Sequence, residues 1–250
     1  MDDSLAMLPA GEPPGFPECA ACPYRRTGPA HICVACASRT LEAIAARACP
    51  VCSQRLEGDS NCRNSLCRDP NRRIEHIDAI AYHSGPIQDK IHRYKYDGKT
   101  GWSLIFGRLV VGWLEEHAGG DPPDLIVANP TYVSPGQPRP GHIEQIIAAA
   151  ATADYDRRWP FDVQMPAAIV KTQPTQRSAG RSRAEKRITA AALREVLQIP
   201  DAARTAGRHI LVFDDVCTTG NQLDAVADCL LREGRAARVR GLVLARAPWR

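Results

Sequence analysis

The sequence predicts an α/β fold, a largely parallel sheet flanked by helices, preceded by a small cysteine-rich module. Three observations carry this expectation. From about residue 74, short apolar runs alternate with stretches of helical periodicity, the pattern of strand–helix–strand units. Eight of the ten cysteines are confined between Cys19 and Cys67. In RHILVFDD (208–215) four apolar residues lead into two acids, and the chain opens into VCTTGN.

The first 18 residues, MDDSLAMLPAGEPPGFPE, are rich in Pro, Gly and acids and read as a disordered lead. They lack the basic and apolar regions of a signal peptide, so a cytoplasmic protein is expected. No apolar run approaches the ~20 residues that span a bilayer, and no membrane insertion is expected.

Residues 19–73 read as a metal-binding module. The cysteines come as CAAC (Cys19, Cys22), CVAC (Cys33, Cys36), CPVC (Cys49, Cys52) and CRNSLC (Cys62, Cys67). A CxxC turn sets two thiolates on one side of a tight knuckle, and two knuckles complete a four-sulfur site. Thiolates select zinc or iron–sulfur among common metals, and the two-knuckle spacing favours two zinc ribbons. A disulfide framework is the alternative, and it needs an oxidising compartment. His31, two residues before Cys33, reads as a bystander. The few apolar residues here leave the module dependent on its metal. Residues 1–76 hold nine Lys/Arg and nine Asp/Glu, which suits a structural or protein-contact element better than a DNA clamp.

Residues 74–250 form the α/β part. IDAIAYH (77–83) reads as a strand. PIQDKIHRYKYDG (86–98) begins on Pro and ends on Gly, as helices do. WSLIFGRLVVGWLEEH (102–117) sets Leu104, Ile105, Leu109 and Leu114 near one face of a second helix. DLIVAN (124–129) is a buried strand stopped by Pro130, followed by a turn-rich loop (131–141) and the helix HIEQIIAAAATA. AAIVK (167–171) reads as another strand, and AEKRITAAALREVL (184–197) as a helix. RHILVFDD, the helix NQLDAVADCLLREG (221–234) and the strand VRGLVLARA (239–247) complete the alternation.

The formal net charge of +4 is too small to imply nucleic-acid binding by itself. Its distribution is uneven: residues 171–187 carry six basic residues, Arg181 and Arg183 among them, against Glu185 alone. Such a run is either a solvated surface or a basic loop that meets a polyphosphate or nucleic acid.

Ligands of parallel sheets sit at the carboxyl ends of the strands. Asp214 and Asp215 are expected there, with Val216, Cys217, Thr218, Thr219 and Gly220 leading into the next helix. Thr218 and Thr219 supply hydroxyls, Gly220 admits close backbone approach, and the helix N-terminus supplies amides and dipole for an anion. Paired carboxylates set back from an anion loop suit a sugar phosphate, with hydroxyls on the acids and phosphate on the loop. Neither GxGxxG before a helix nor GxxxxGK[ST] is present.

Four hydrophobics, DD, a hydrophobic, any residue and TTG together resemble the motif by which type I phosphoribosyltransferases bind phosphoribosyl pyrophosphate (PRPP). With the cysteine knuckles, HRYKYDGK and GLVLAR, the chain from residue 19 onward resembles the ComF family. The resemblance implies a double zinc ribbon joined to a type I phosphoribosyltransferase-like domain, with two structural Zn²⁺ and Mg²⁺ bound with PRPP. It implies transfer of a 5-phosphoribosyl group to an unknown acceptor, with release of pyrophosphate. Many members are linked to DNA uptake in natural competence, so a non-catalytic PRPP sensor, or an adaptor touching single-stranded DNA or a DNA-uptake protein, is the alternative. On this resemblance Asp214 and Asp215 take the ribose hydroxyls and residues 216–220 the 5′-phosphate. Thr131 faces the pyrophosphate, and Arg181 and Arg183 close over it. Lys95 and Lys99 are candidate auxiliary cations. Tyr94, Tyr96 and Trp102 form the one aromatic cluster beside basic residues. The family's Arg-Gly-Phe-Asn-Gln-like segment survives here as Gly141 within PGHIEQI, and Asn221 and Gln222 replace the usual small residue and Thr after TTG.

Overall fold

The computed structural model describes residues 15–16, 19, 22, 27–58, 61–134, 136, 140–175 and 191–249. Arg181 and Arg183 lie outside them, as does most of the helix expected over 184–197; residues 191–194 are helical.

Four strands form a parallel sheet: β1 (Ile77–Tyr82), β2 (Leu125–Ala128), β5 (His209–Cys217) and β6 (Arg238–Arg246), in the order β1-β6-β5-β2. Strand alternation sorts their side chains into two cores. Leu211, Phe213, Leu242 and Leu244 face one side, where helices α3 (Gly85–Tyr96), α4 (Trp102–His117) and α5 (His142–Ala153) pack. Ile210, Val212, Val239 and Val243 face the other, against α6 (Asn221–Arg232).

The expected strand over 167–171 shrinks to β3 (Val170–Lys171). It pairs antiparallel with β4 (Leu197–Gln198), apart from the parallel sheet. The cause is local: the Ala168 amide donates to the Asp162 carboxylate at 2.6 Å, so it is spent before a ladder can form. In contrast, β5 runs two residues further than expected and carries both aspartates within the strand.

The cysteine-rich segment packs apolar residues into both cores of the sheet. Its helix α1 (Ala30–Ala37) lies on α4, and Phe16, Val34 and Leu41 join the α3–α5 core. Phe16 meets Trp102 edge-on at 5.2 Å. Leu66, on the short helix α2 (Ser65–Arg68), and Ile74 join the opposite core instead. The segment therefore serves both faces of the sheet.

Candidate functional site

A cavity of about 580 Å³ opens at the carboxyl ends of β2 and β5 and takes in Asp214, Asp215 and the loop Val216–Gly220. The two aspartates are buried. Asp214 Oδ2 accepts from Asn129 Nδ2 at 2.8 Å, just past the end of β2, and its Oδ1 accepts from the Asp215 amide at 2.8 Å. Asp215 faces Lys95 and His142 from the α3–α5 side. Lys95 Nζ, in the last turn of α3, lies 2.6 Å from Asp215 Oδ2, and His142 Nε2, the first residue of α5, lies 3.2 Å from it.

The pair titrates unequally. Burial pushes the Asp214 carboxyl up, and the charge of Asp215 adds to this against the opposing pull of Lys95. Burial acts the same way on Asp215, but His142 and Lys95 together outweigh it and hold that carboxyl below its ordinary range. Burial also works against the Lys95 charge, yet Asp215 and Asp214 prevail and raise its pKa. One carboxylate is thus already neutralised from within, while the other holds its proton readily.

Gly220 precedes α6 with φ +82°, a conformation side chains resist. A Cβ there would also sit 2.7 Å from Ile77 Cδ1 and from Leu66 Cδ2, so the position admits glycine for two reasons. No side chain caps α6 from this position, and the turn can present amides to an anion. Across the cavity, Thr131 is already engaged: its amide and hydroxyl donate to the two oxygens of Glu144 at 2.8 and 2.6 Å. Gly141 makes this clamp feasible, because a Cβ would collide with the Thr131 hydroxyl. Lys171 and Thr175 join the lining, with Lys171 Nζ donating to the Thr175 hydroxyl at 2.6 Å.

The second cysteine set forms a cluster that can hold a metal ion. The sulfurs of Cys49, Cys52, Cys62 and Cys67 all lie within 4.8 Å of one another. Cys49–Cys67 and Cys52–Cys62 are each separated by 3.7 Å. A zinc–thiolate tetrahedron with bonds of about 2.3 Å has edges of about 3.8 Å, so the sulfurs stand where zinc would need them. None of the ten cysteines is in a disulfide. The Cys52 thiol is held low by Cys67, against burial, with help from Arg246.

The first set is less closed. Cys33 and Cys36 lie on α1 instead of on a knuckle, one helical turn apart. Cys19, Cys22, Cys33 and Cys36 do not meet in a cluster as tight as the second. Cys19 nonetheless feels the charges of the other three, and Arg108 Nε lies 2.9 Å from Cys33 Sγ.

Of the auxiliary cations expected, Lys95 reaches the aspartates while Lys99 is exposed and outside the cavity. His142 and Asn129 went unnoticed in the sequence, since nothing local marks either as a neighbour of β5. The aromatic cluster dissolves: Tyr94 and Trp102 are buried in the core, leaving Tyr96 exposed. His31, largely exposed, lies 3.9 Å from Glu115. No helix among the described residues is long and apolar enough to cross a membrane. No protein-family model matches the chain, and no curated protein matches it.

Proposed function

We propose that the chain binds PRPP and acts as a phosphoribosyltransferase-like enzyme on an acceptor yet to be identified. The observation that carries this reading is the continuity of Asp214, Asp215 and the Thr218–Gly220 turn along one wall of the cavity. Carboxylates accept hydrogen bonds from ribose hydroxyls, and the turn at the start of α6 receives the 5′-phosphate. The Thr131 side would face the pyrophosphate, displacing Glu144 from donors it now occupies. Lys171 adds a cation to the lining there, and Arg181 and Arg183 are proposed to close over the leaving group.

In the reaction the C1–O bond to pyrophosphate breaks and its electron pair leaves with pyrophosphate. The acceptor's lone pair forms the new bond at C1, and the acceptor gives up its proton if it has one. The chain's contribution is to orient the ribose, neutralise the leaving group and keep water out. Mg²⁺, carried with PRPP, would neutralise charge on the pyrophosphate. Zn²⁺ fits the Cys49 cluster, and Cys19, Cys22, Cys33 and Cys36 are proposed as a second structural site.

A DNA-contacting adaptor is less well supported, because of the three clustered aromatic side chains Tyr94 and Trp102 are buried and Tyr96 alone is exposed for base stacking. PRPP titration calorimetry on wild type and Asp215→Asn, with and without Mg²⁺, tests the proposal. Loss of a carboxylate that accepts hydroxyl hydrogen bonds is expected to weaken binding about ten- to a hundredfold. Equal affinity in the two proteins would make the acid pair merely structural.

A further inference from the structure

The second cysteine cluster and the phosphate turn are wired together by two buried side chains. Arg246, at the end of β6, is fully buried. Its Nε donates to the Cys52 carbonyl at 2.6 Å, and its Nη2 lies 3.7 Å from Cys52 Sγ. Its Nη1 donates to the carbonyls of Cys217 and Thr218, at 2.9 and 2.6 Å. One guanidinium thus spans a cluster sulfur's residue and the two residues that begin the turn. Asn64, between Cys62 and Cys67 and also buried, donates through Nδ2 to the Thr219 carbonyl at 2.9 Å. Leu66, in the same Cys62–Cys67 loop, is one of the two side chains against which Gly220 closes.

The carbonyls of residues 217, 218 and 219 are therefore all held by this apparatus. When a peptide's carbonyl is fixed, so is the direction of the amide on its other side. The amides of Thr218, Thr219 and Gly220 are the N–H groups of these three peptides. A planar guanidinium fixes several acceptors at once, which an ammonium cannot do.

We propose that Arg246 and Asn64 are positioning residues through which metal occupancy of the Cys49–Cys52–Cys62–Cys67 cluster sets the geometry of the 218–220 phosphate turn. The metal then acts beyond local folding: with the cluster loose, Cys52 and Asn64 no longer hold their places, and the turn loses its preorganisation. The ligand side of this inference rests on the phosphoribosyl reading, whereas the coupling of cluster to turn does not.

The experiment uses the full-length chain as wild type, Asn64→Ala, Arg246→Lys and Cys62→Ser, the last to weaken the cluster alone. Hydrogen exchange reports the turn directly. Amides 218–220 should exchange faster in all three variants, while those of β2 and α5 stay protected. Ribose 5-phosphate and inorganic pyrophosphate are then titrated separately. Ribose 5-phosphate affinity should fall about tenfold or more in each variant, with pyrophosphate affinity within about twofold of wild type. A general loss of structure would weaken both ligands and raise exchange everywhere, and would overturn the proposal. Unchanged exchange at 218–220 in Asn64→Ala and Cys62→Ser would overturn it too. If wild type binds neither ligand, the phosphoribosyl reading fails, and the exchange pattern alone decides the coupling.

Discussion

Asp215 owes its ionisation to Lys95 and His142, and that dependence can be read as a stability effect. A carboxyl held below its ordinary pKa stabilises the fold above the unfolded value, and the benefit is lost as pH falls through the lowered one. Lys95→Met removes the ammonium and leaves the buried carboxylate with His142 as its remaining partner. At neutral pH this should cost about 2 kcal/mol, below the usual range for a broken buried pair because His142 remains. Asp215→Asn in the Lys95→Met background should recover most of that loss, since the uncompensated charge goes with it. Urea melts of the four proteins of the cycle measure the coupling, and a repeat near pH 3 should show it shrinking. Additive single-variant costs at neutral pH would mean that the 2.6 Å approach contributes nothing. The acid pair itself was legible in the sequence, because DD before TTG is a local pattern. Lys95 was a candidate cation, but its pairing with Asp215, 120 residues downstream, was not legible, and His142 was not marked at all: only the packing of α3 and α5 beside β5 brings the two to it.

At the scale of elements, periodicity gave a nearly complete account of what folds alone and a poor one of what folds by contact. The four parallel strands are legible because their runs of Ile, Leu and Val suit burial on both faces. AAIVK misled because its competitor, the Asp162 carboxylate, lies outside the run. The cysteine spacing identified two groups of four but could not reveal that one pair would ride on a helix. That helix, α1, reaches α4 at Gly112, where an added Cβ would collide with Val34. The contact places Cys33 and Cys36 relative to the rest of their set. Gly112→Ala should therefore lift α1 and loosen the first site while leaving the second, whose Leu66 packs in the opposite core. Elemental analysis is expected to give about two zinc atoms per chain in wild type and about one in the variant. One zinc in wild type would remove the first set as a metal site. Two in the variant would show that α1 tolerates the shift.

For the whole molecule, the division into a cysteine module and an α/β domain describes the sequence better than the energetics. Phe16, Val34 and Leu41 are buried in the same core as Trp102, Phe106 and Leu109. Arg108, itself buried, spends its guanidinium on the Gly28 and Pro29 carbonyls and on Cys33 Sγ. Removing residues 1–44 would expose that core face and strip Arg108 of the acceptors it holds there. Each large apolar side chain withdrawn forfeits about 1.5–3 kcal/mol, so losing Phe16, Val34 and Leu41 costs roughly 5–9 kcal/mol before Arg108 is considered. A domain of this kind has about 5–15 kcal/mol in total. A chain of residues 45–250 should therefore fail to melt cooperatively, whereas the full chain should melt in a single transition that chelation shifts downward without splitting. Circular dichroism melts of both chains, with and without chelator, measure this. A cooperative transition in the shortened chain, with near-native ellipticity, would establish an autonomous α/β domain. In that case the packing of α1 on α4 would be an interface between domains and not part of one core.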